Sequence, residues 1–318
     1  MKRRVFLSAL LVLLLMPARA QQTLIISETR LPYTSQVWWT EGSRCALSER
    51  KVREHWNDDR QITSLAYTKQ GWFVTMARDS GLRDQQLKVS DDWPENWIRS
   101  NWNAGYYITS MAHGNGEWVV VMSKGTDYRE QCYIACDWDE EAEWIHECWD
   151  AGLYITSASF NGRYWFIVMW RTSDYTSQGY VWATSFSRMQ DKVSEKWDID
   201  RNIQILEYGD EEYLGVYCVY NEDNGRGQAY VRNPSSLKNY IQEKWDEEKK
   251  ISYIGGGPGE YKSSRSDDNY TYCDCSNTYH RPTNTHTPPP PPRTQPTHPQ
   301  TQPTPPPTQG KIVGGGRR

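Results

Sequence analysis

The sequence predicts a mostly β repeat protein with short helices, arranged as a five-bladed β-propeller-like ring, with an open α+β solenoid as the competing architecture. Three observations carry this. Five segments end in tryptophan 46 to 48 residues apart: VREHW at Trp56, IRSNW at Trp102, IHECW at Trp149, VSEKW at Trp197 and IQEKW at Trp245. Self-similarity at such a period marks a repeat architecture. Further landmarks recur in the same phase, and the two ends of the repeated region are out of phase with each other.

Each unit of about 47 residues reads as three short strands and one short helix. A glutamine opens the first strand, at Gln36, Gln85, Gln131, Gln178 and Gln228. The helix follows from an apolar residue four before each tryptophan (Val52, Ile98, Ile145, Val193 and Ile241), which puts the pair on one face. Next comes QITSLA at 61–66, YITSMA at 107–112, YITSAS at 154–159, NIQILE at 202–207 and KISYIG at 250–255. The last strand is led by an aromatic: WFVTMA at 72–77, WVVVMS at 118–123, WFIVMW at 165–170 and YLGVYC at 213–218. β-branched and aromatic runs separated by Gly, Asn, Asp and Ser turns support the strand assignments.

The chain enters on LIIS at 24–27, which aligns with VVMS at 120–123, and leaves on KISYIG at 250–255. One blade closed by strands from both ends would remove the exposed edges, which favours the ring.

The repeat domain spans 21–257. Residues 1–20, with Lys2, Arg3 and Arg4 before an apolar run and Ala18-Arg19-Ala20 after it, read as a signal peptide, and Arg3-Arg4 also fits twin-arginine export. A secreted or periplasmic protein with no transmembrane segment after cleavage follows. Residues 258–318 hold 13 of the 17 prolines and read as a Pro/Thr/Gln-rich disordered tail. Seven cysteines, an odd number, leave at least one thiol unpaired in the monomer.

Between 21 and 257 stand 25 basic against 36 acidic side chains, which argues against nucleic acid as a partner. No nucleophile elbow, metalloprotease helix, phosphate loop or dinucleotide glycine pattern occurs in a suitable setting, so no catalytic residue and no cofactor is assigned. His55, His113 and His146 occupy different phases of the repeat. Cys273-Asp274-Cys275 with His280 makes a poor tetrahedral set, so no metal is expected.

Two groups remain as binding candidates. The five repeated glutamines either bond backbone in a neighbouring turn or, with Tyr33, Tyr128 and Tyr175 three residues before three of them, line a pocket for a polar ligand. Trp38, Trp39, Trp93, Trp138, Trp170 and Trp182 do not recur in every unit, so packing does not demand them; exposed, they would suit stacking on sugars or peptide side chains. Trp56, Trp102, Trp149, Trp197 and Trp245 read instead as structural core anchors.

Trp102 to Gln131, with Ala104-Gly105-Tyr106-Tyr107-Ile108-Thr109-Ser110 and Val121-Met122-Ser123-Lys124-Gly125, carries a W-[ND]-x-G-x-x-I-T-S pattern. In this it resembles the repeat domain found C-terminal in plant casein-kinase-I-like protein kinases and in stand-alone proteins. The likeness covers roughly 24–256, and departs where Ile203-Gln204-Ile205 and Ile251-Ser252-Tyr253 replace Ile-Thr-Ser. It implies an accessory interaction domain and no kinase activity, since the kinase motifs are missing.

The sequence therefore predicts an exported, non-catalytic repeat domain binding protein or glycan. A glycan hydrolase or lyase with an axial acidic pocket, and a structural envelope component, are the rival readings.

Overall fold

A computed structural model describes residues 21–125, 130–138, 142–221 and 226–257, all within the first of the two units into which the chain divides, Met1–Tyr279. The predicted leader, the predicted tail and Tyr128 lie outside the described residues. The chain begins with β1 (Leu24–Glu28) and then repeats one series. The first round is β2 (Thr34–Thr40), α1 (Glu49–Trp56), β3 (Gln61–Thr68) and β4 (Gly71–Arg78). The second is β5 (Arg83–Ser90), α2 (Glu95–Asn103), β6 (Tyr107–Gly114) and β7 (Glu117–Lys124). The third is β8 (Gln131–Cys136), α3 (Ala142–Asp150), β9 (Leu153–Phe160) and β10 (Trp165–Arg171). The fourth is β11 (Tyr175–Ala183), α4 (Phe186–Trp197), β12 (Asn202–Gly209) and β13 (Glu212–Tyr220). The last is shorter: β14 (Gln228–Arg232), α5 (Leu237–Asp246) and β15 (Lys250–Gly255).

These elements form five three-stranded antiparallel sheets, in the orders β2-β4-β3, β5-β7-β6, β8-β10-β9, β11-β13-β12 and β14-β1-β15. In each, the strand that opens with glutamine and the strand that carries the Ile-Thr-Ser motif flank a central one. The flanking strands run parallel to each other, and the helix makes the crossover such strands need. The fifth sheet joins both ends of the described chain, because β1 from the start is its central strand, paired with β14 and β15 from the end.

Central strands are buried on both faces, which is why they read as unbroken apolar runs instead of alternating. Trp72, Trp118, Trp165 and Tyr213 near their starts are at most 4% exposed. Apolar clusters fill the space between successive sheets. Leu65 and Val74 of the first sheet meet Ala112 and Val119 of the second. The series runs on through the second and third, the third and fourth, and the fourth and fifth sheets. Ile25 and Ile254 of the fifth sheet then meet Ala66 and Phe73 of the first. The motif strands touch in the same order, β3 with β6, β6 with β9, β9 with β12, β12 with β15, and β15 with β3. Gly255 and Gly256 permit the last contacts: a Cβ would stand 1.9 Å from the Leu206 carbonyl oxygen or 2.1 Å from that of Tyr67. Gly255 and Gly256 thus form a close-packed junction.

The helices cover the outside and each inserts one fully buried aliphatic residue of the i−4 set, Val52, Ile98, Ile145, Val193 or Ile241. Ser48, Ser185 and Ser236 cap α1, α4 and α5 by accepting from Lys51, Arg188 and Asn239 backbone N–H groups. The motif tryptophans pack against the apolar clusters at Trp56, Trp102, Trp149 and Trp245 but are not themselves fully buried. They are partly exposed, Trp197 by 36%, because the smaller i−4 residue takes the buried position while the indole lies over a flanking strand.

Candidate binding site

The repeated glutamine explains the position of the motif tryptophan. Each glutamine side chain bonds the preceding unit three times. Its Oε1 accepts from a motif-tryptophan indole at 2.9–3.2 Å and from the backbone N–H of the motif isoleucine at 2.7–2.9 Å. Its Nε2 donates to the same isoleucine's carbonyl at 2.7–3.0 Å. Gln85 thus holds Trp56 and Ile62, Gln131 holds Trp102 and Ile108, Gln178 holds Trp149 and Ile155, Gln228 holds Trp197 and Ile203, and Gln36 holds Trp245 and Ile251. The motif strand is an edge strand, and backbone groups outside its ladder need partners, which the amide supplies at the isoleucine. The five glutamines therefore build the fold, and none lines the cavity described next.

That cavity, of about 450 Å³, lies among the motif strands toward one of their ends. Each motif strand carries a bulge at the residue after isoleucine, namely Thr63, Thr109, Thr156, Gln204 or Ser252. A bulge re-aims the side chain at an unpaired position, and all five of these residues line the cavity. The following Ser64, Ser110, Ser157 and Tyr253 line it as well. Two of these serines also tie neighbouring motif strands together: Ser64 Oγ accepts from Ile254 N–H at 2.8 Å and Ser110 Oγ from Leu65 N–H at 3.2 Å. The result is a wall of hydroxyl groups, which both donate and accept and rotate to suit a ligand.

Aromatic and charged groups complete the lining. Tyr33, Trp170, Tyr175 and Tyr220 contribute rings. Glu28, 3% exposed, accepts from Arg226 Nη1 at 3.1 Å and Gln228 Nε2 at 2.9 Å, and the Arg226 guanidinium stands 3.9 Å over the Tyr220 ring. Burial raises the Glu28 pKa despite these partners. Burial, with Glu28 adding to it, pushes the Tyr33 phenol up to about 12, so it stays protonated at neutral pH. A relay fixes Tyr175: Gln178 Nε2 donates to Gln204 Oε1 at 2.8 Å, and Gln204 Nε2 donates to the Tyr175 oxygen at 2.8 Å. The repeated glutamines thus reach the cavity only through other residues.

Further along the motif strands is a second, much smaller cavity of about 10 Å³, lined by His113, Ser159, Glu207 and Gly256 among others. Glu207 Oε1 accepts from the Tyr253 hydroxyl at 2.9 Å and Oε2 from Gly256 N–H at 3.0 Å. Burial pushes the Glu207 carboxyl up to about 8 and the His113 imidazole down to about 4, so both are largely uncharged at pH 7.

Of the sequence-derived candidates, the structure brings Tyr33, Trp170 and Tyr175 into the large cavity. The other tryptophans are packing residues. Trp38 lies edge-on to Phe73 at 5.8 Å, and Trp39 donates to Glu41 at 2.7 Å. Trp138, 4% exposed, meets Trp182 at 4.9 Å, and Trp93 meets Trp118 at 4.8 Å. They fill inter-sheet space beyond the reach of aliphatic side chains, so irregularity within the repeat does not by itself signal a ligand. Sequence reasoning missed the hydroxyl wall, Glu28, Tyr220 and Arg226. The signal for the wall was present: Thr-Ser pairs recur inside strands whose neighbours are buried and apolar.

Cys45, Cys132, Cys136, Cys148 and Cys218 are thiols. No group of His, Cys, Asp and Glu suited to a metal ion occurs among the described residues, and no described helix is long and apolar enough to cross a membrane. A family model described as a domain of unknown function, DUF7477, matches residues 11–212. No curated protein and no solved structure matches the chain.

Proposed function

The chain belongs to the DUF7477 family, a domain of unknown function, and from that premise we propose that it is an exported, non-catalytic module that binds a neutral saccharide in the large cavity. The observation that carries this reading is the wall of Thr and Ser hydroxyls from successive motif strands, with four aromatic rings beside it. Hydroxyls paired with rings are the complement of a sugar, whose edges are polar and whose faces are apolar. Among the described residues, the only cation lining the cavity, Arg226, is paired with Glu28, and the surrounding domain is acidic, so an anionic ligand is disfavoured. A concave cavity of about 450 Å³ suits a terminal sugar unit better than a protein surface, which needs a broad face.

The reading includes the five-bladed propeller-like ring. It is supported by the cyclic order of motif-strand contacts, by the inter-sheet cluster joining the fifth sheet to the first, and by the Gln36 latch onto Ile251. The predicted leader over 1–20 supports export to a secreted or periplasmic location.

Titration of the full chain with neutral mono- and disaccharides, followed by calorimetry, tests the function. Saturable binding without release of reducing sugar, weakened at least about tenfold by Tyr33→Ala, is expected. Glu28 and Asp174 both line the cavity, which gives the glycosidase reading its one specific support. Sugar release that disappears in Asp174→Asn would establish that reading and end the binding-only one.

A further inference from the structure

Among the departures from the repeat on the motif strands, two meet. Where the first three units carry Ser64, Ser110 and Ser157, the fifth carries Tyr253; where the others carry Ala66, Ala112, Ser159 and Gly255, the fourth carries Glu207. Tyr253 lines the large cavity and Glu207 lines the small one, and the two cavities share no lining residue. The Tyr253 hydroxyl reaches from β15 to Glu207 Oε1 on β12 at 2.9 Å and stands 3.4 Å from the Ala158 carbonyl on β9. One phenol from one motif strand thus touches two others, in the layer between the cavities.

We infer that Tyr253 and Glu207 form a septum that closes the passage among the motif strands and makes Tyr253 the specificity-determining floor of the saccharide site. A side chain as short as the serine of the first three units could not span this distance. The floor limits a ligand to a terminal sugar unit entering from the open end and excludes an internal stretch of a threaded chain. Gly255 belongs to the same device: it lets β15 approach Leu206 closely enough for its neighbour Tyr253 to reach Glu207. This inference rests on the saccharide reading for its ligand, but not for its geometry.

The test uses the full chain with Tyr253→Ser, which restores the residue of the first three units, and Tyr253→Phe, which keeps the ring and loses the hydroxyl. The probes are methyl hexosides and the linear trisaccharides of the same hexoses. In the wild type and Tyr253→Phe, trisaccharide and monosaccharide should bind with similar affinity, since only the terminal unit enters. In Tyr253→Ser the trisaccharide should gain at least about tenfold over the monosaccharide. An unchanged ratio in Tyr253→Ser, with the wild type binding both probes, overturns the role of the floor. If the wild type binds no probe, the saccharide reading fails, and crystal structures of the two variants decide the septum. A passage continuous between the cavities in Tyr253→Ser and closed in Tyr253→Phe supports it; a passage closed in both refutes it.

Discussion

The outer latches and the inner cavity are built from the same repeat and obey it differently. Every glutamine latch has the same three bonds, to an indole, an amide N–H and a carbonyl, in all five units. At the cavity the pattern holds in three units and breaks in two, through Gln204, Ser252 and Tyr253. The difference teaches that contacts required for joining units tolerate no variation, because each serves a backbone that cannot change. Side chains facing the cavity carry less of that duty, although Ser64 and Ser110 accept from backbone of neighbouring strands, and there the units diverge.

The sharpest way to break this comparison is to remove one latch. Gln131→Ala strips partners from the Ile108 N–H and carbonyl and from the Trp102 indole, and should cost about 3–5 kcal/mol in urea unfolding. A loss under 1 kcal/mol would show that the latches are incidental.

Next in size is the septum. The Glu207 carboxyl is raised from 4.5 to about 8, so the folded chain holds a proton that the unfolded chain has released. Its stabilising contribution is therefore full below about pH 4.5 and is lost as pH rises through 8. Between those limits the wild type should lose about 2–4 kcal/mol that Glu207→Gln does not lose. Thermal melts from pH 5 to pH 9 read this directly, and parallel curves for the two proteins would contradict it.

Smaller effects grade the latches among themselves. Trp102→Phe keeps an aromatic side chain but loses the indole N–H and part of the ring system, which should cost about 1–2 kcal/mol. Trp197→Phe should cost less, since that indole is 36% exposed and water replaces the bond. Equal costs would mean that packing and not the bond sets the value. Least of all, Thr156→Ser should stay within about 0.5 kcal/mol, because the hydroxyl is kept and the position faces the cavity. A larger stability loss would make the cavity wall part of the fold's scaffold.

Much of the fold was legible from particular residues. The i−4 aliphatic pairs mark the helices, the unbroken run WVVVMS marks a strand buried on both sides, and the phase mismatch of LIIS with KISYIG foretells the sheet made from both ends of the described chain. The candidate site was less legible. Tyr33, Trp170 and Tyr175 were within reach, the first and third through their spacing from a glutamine and the second through its irregular position in the repeat. Glu28, Tyr220 and Arg226 were not, since they come from separate segments and acquire meaning only as an ion pair stacked on a ring.

The sequence by itself determined the unit, its period and its strand and helix content, because those depend on local periodicity and on burial that repeats with it. Only the tertiary structure decided what the repeated residues do. A glutamine at fixed phase is compatible with a pocket or a latch, and the choice depends on which backbone lies within 3 Å of its amide. Likewise Tyr253 and Glu207 stand 46 residues apart in sequence as two unrelated irregularities. They become one wall because the fold brings β12 and β15 side by side, a long-range juxtaposition that no local pattern encodes.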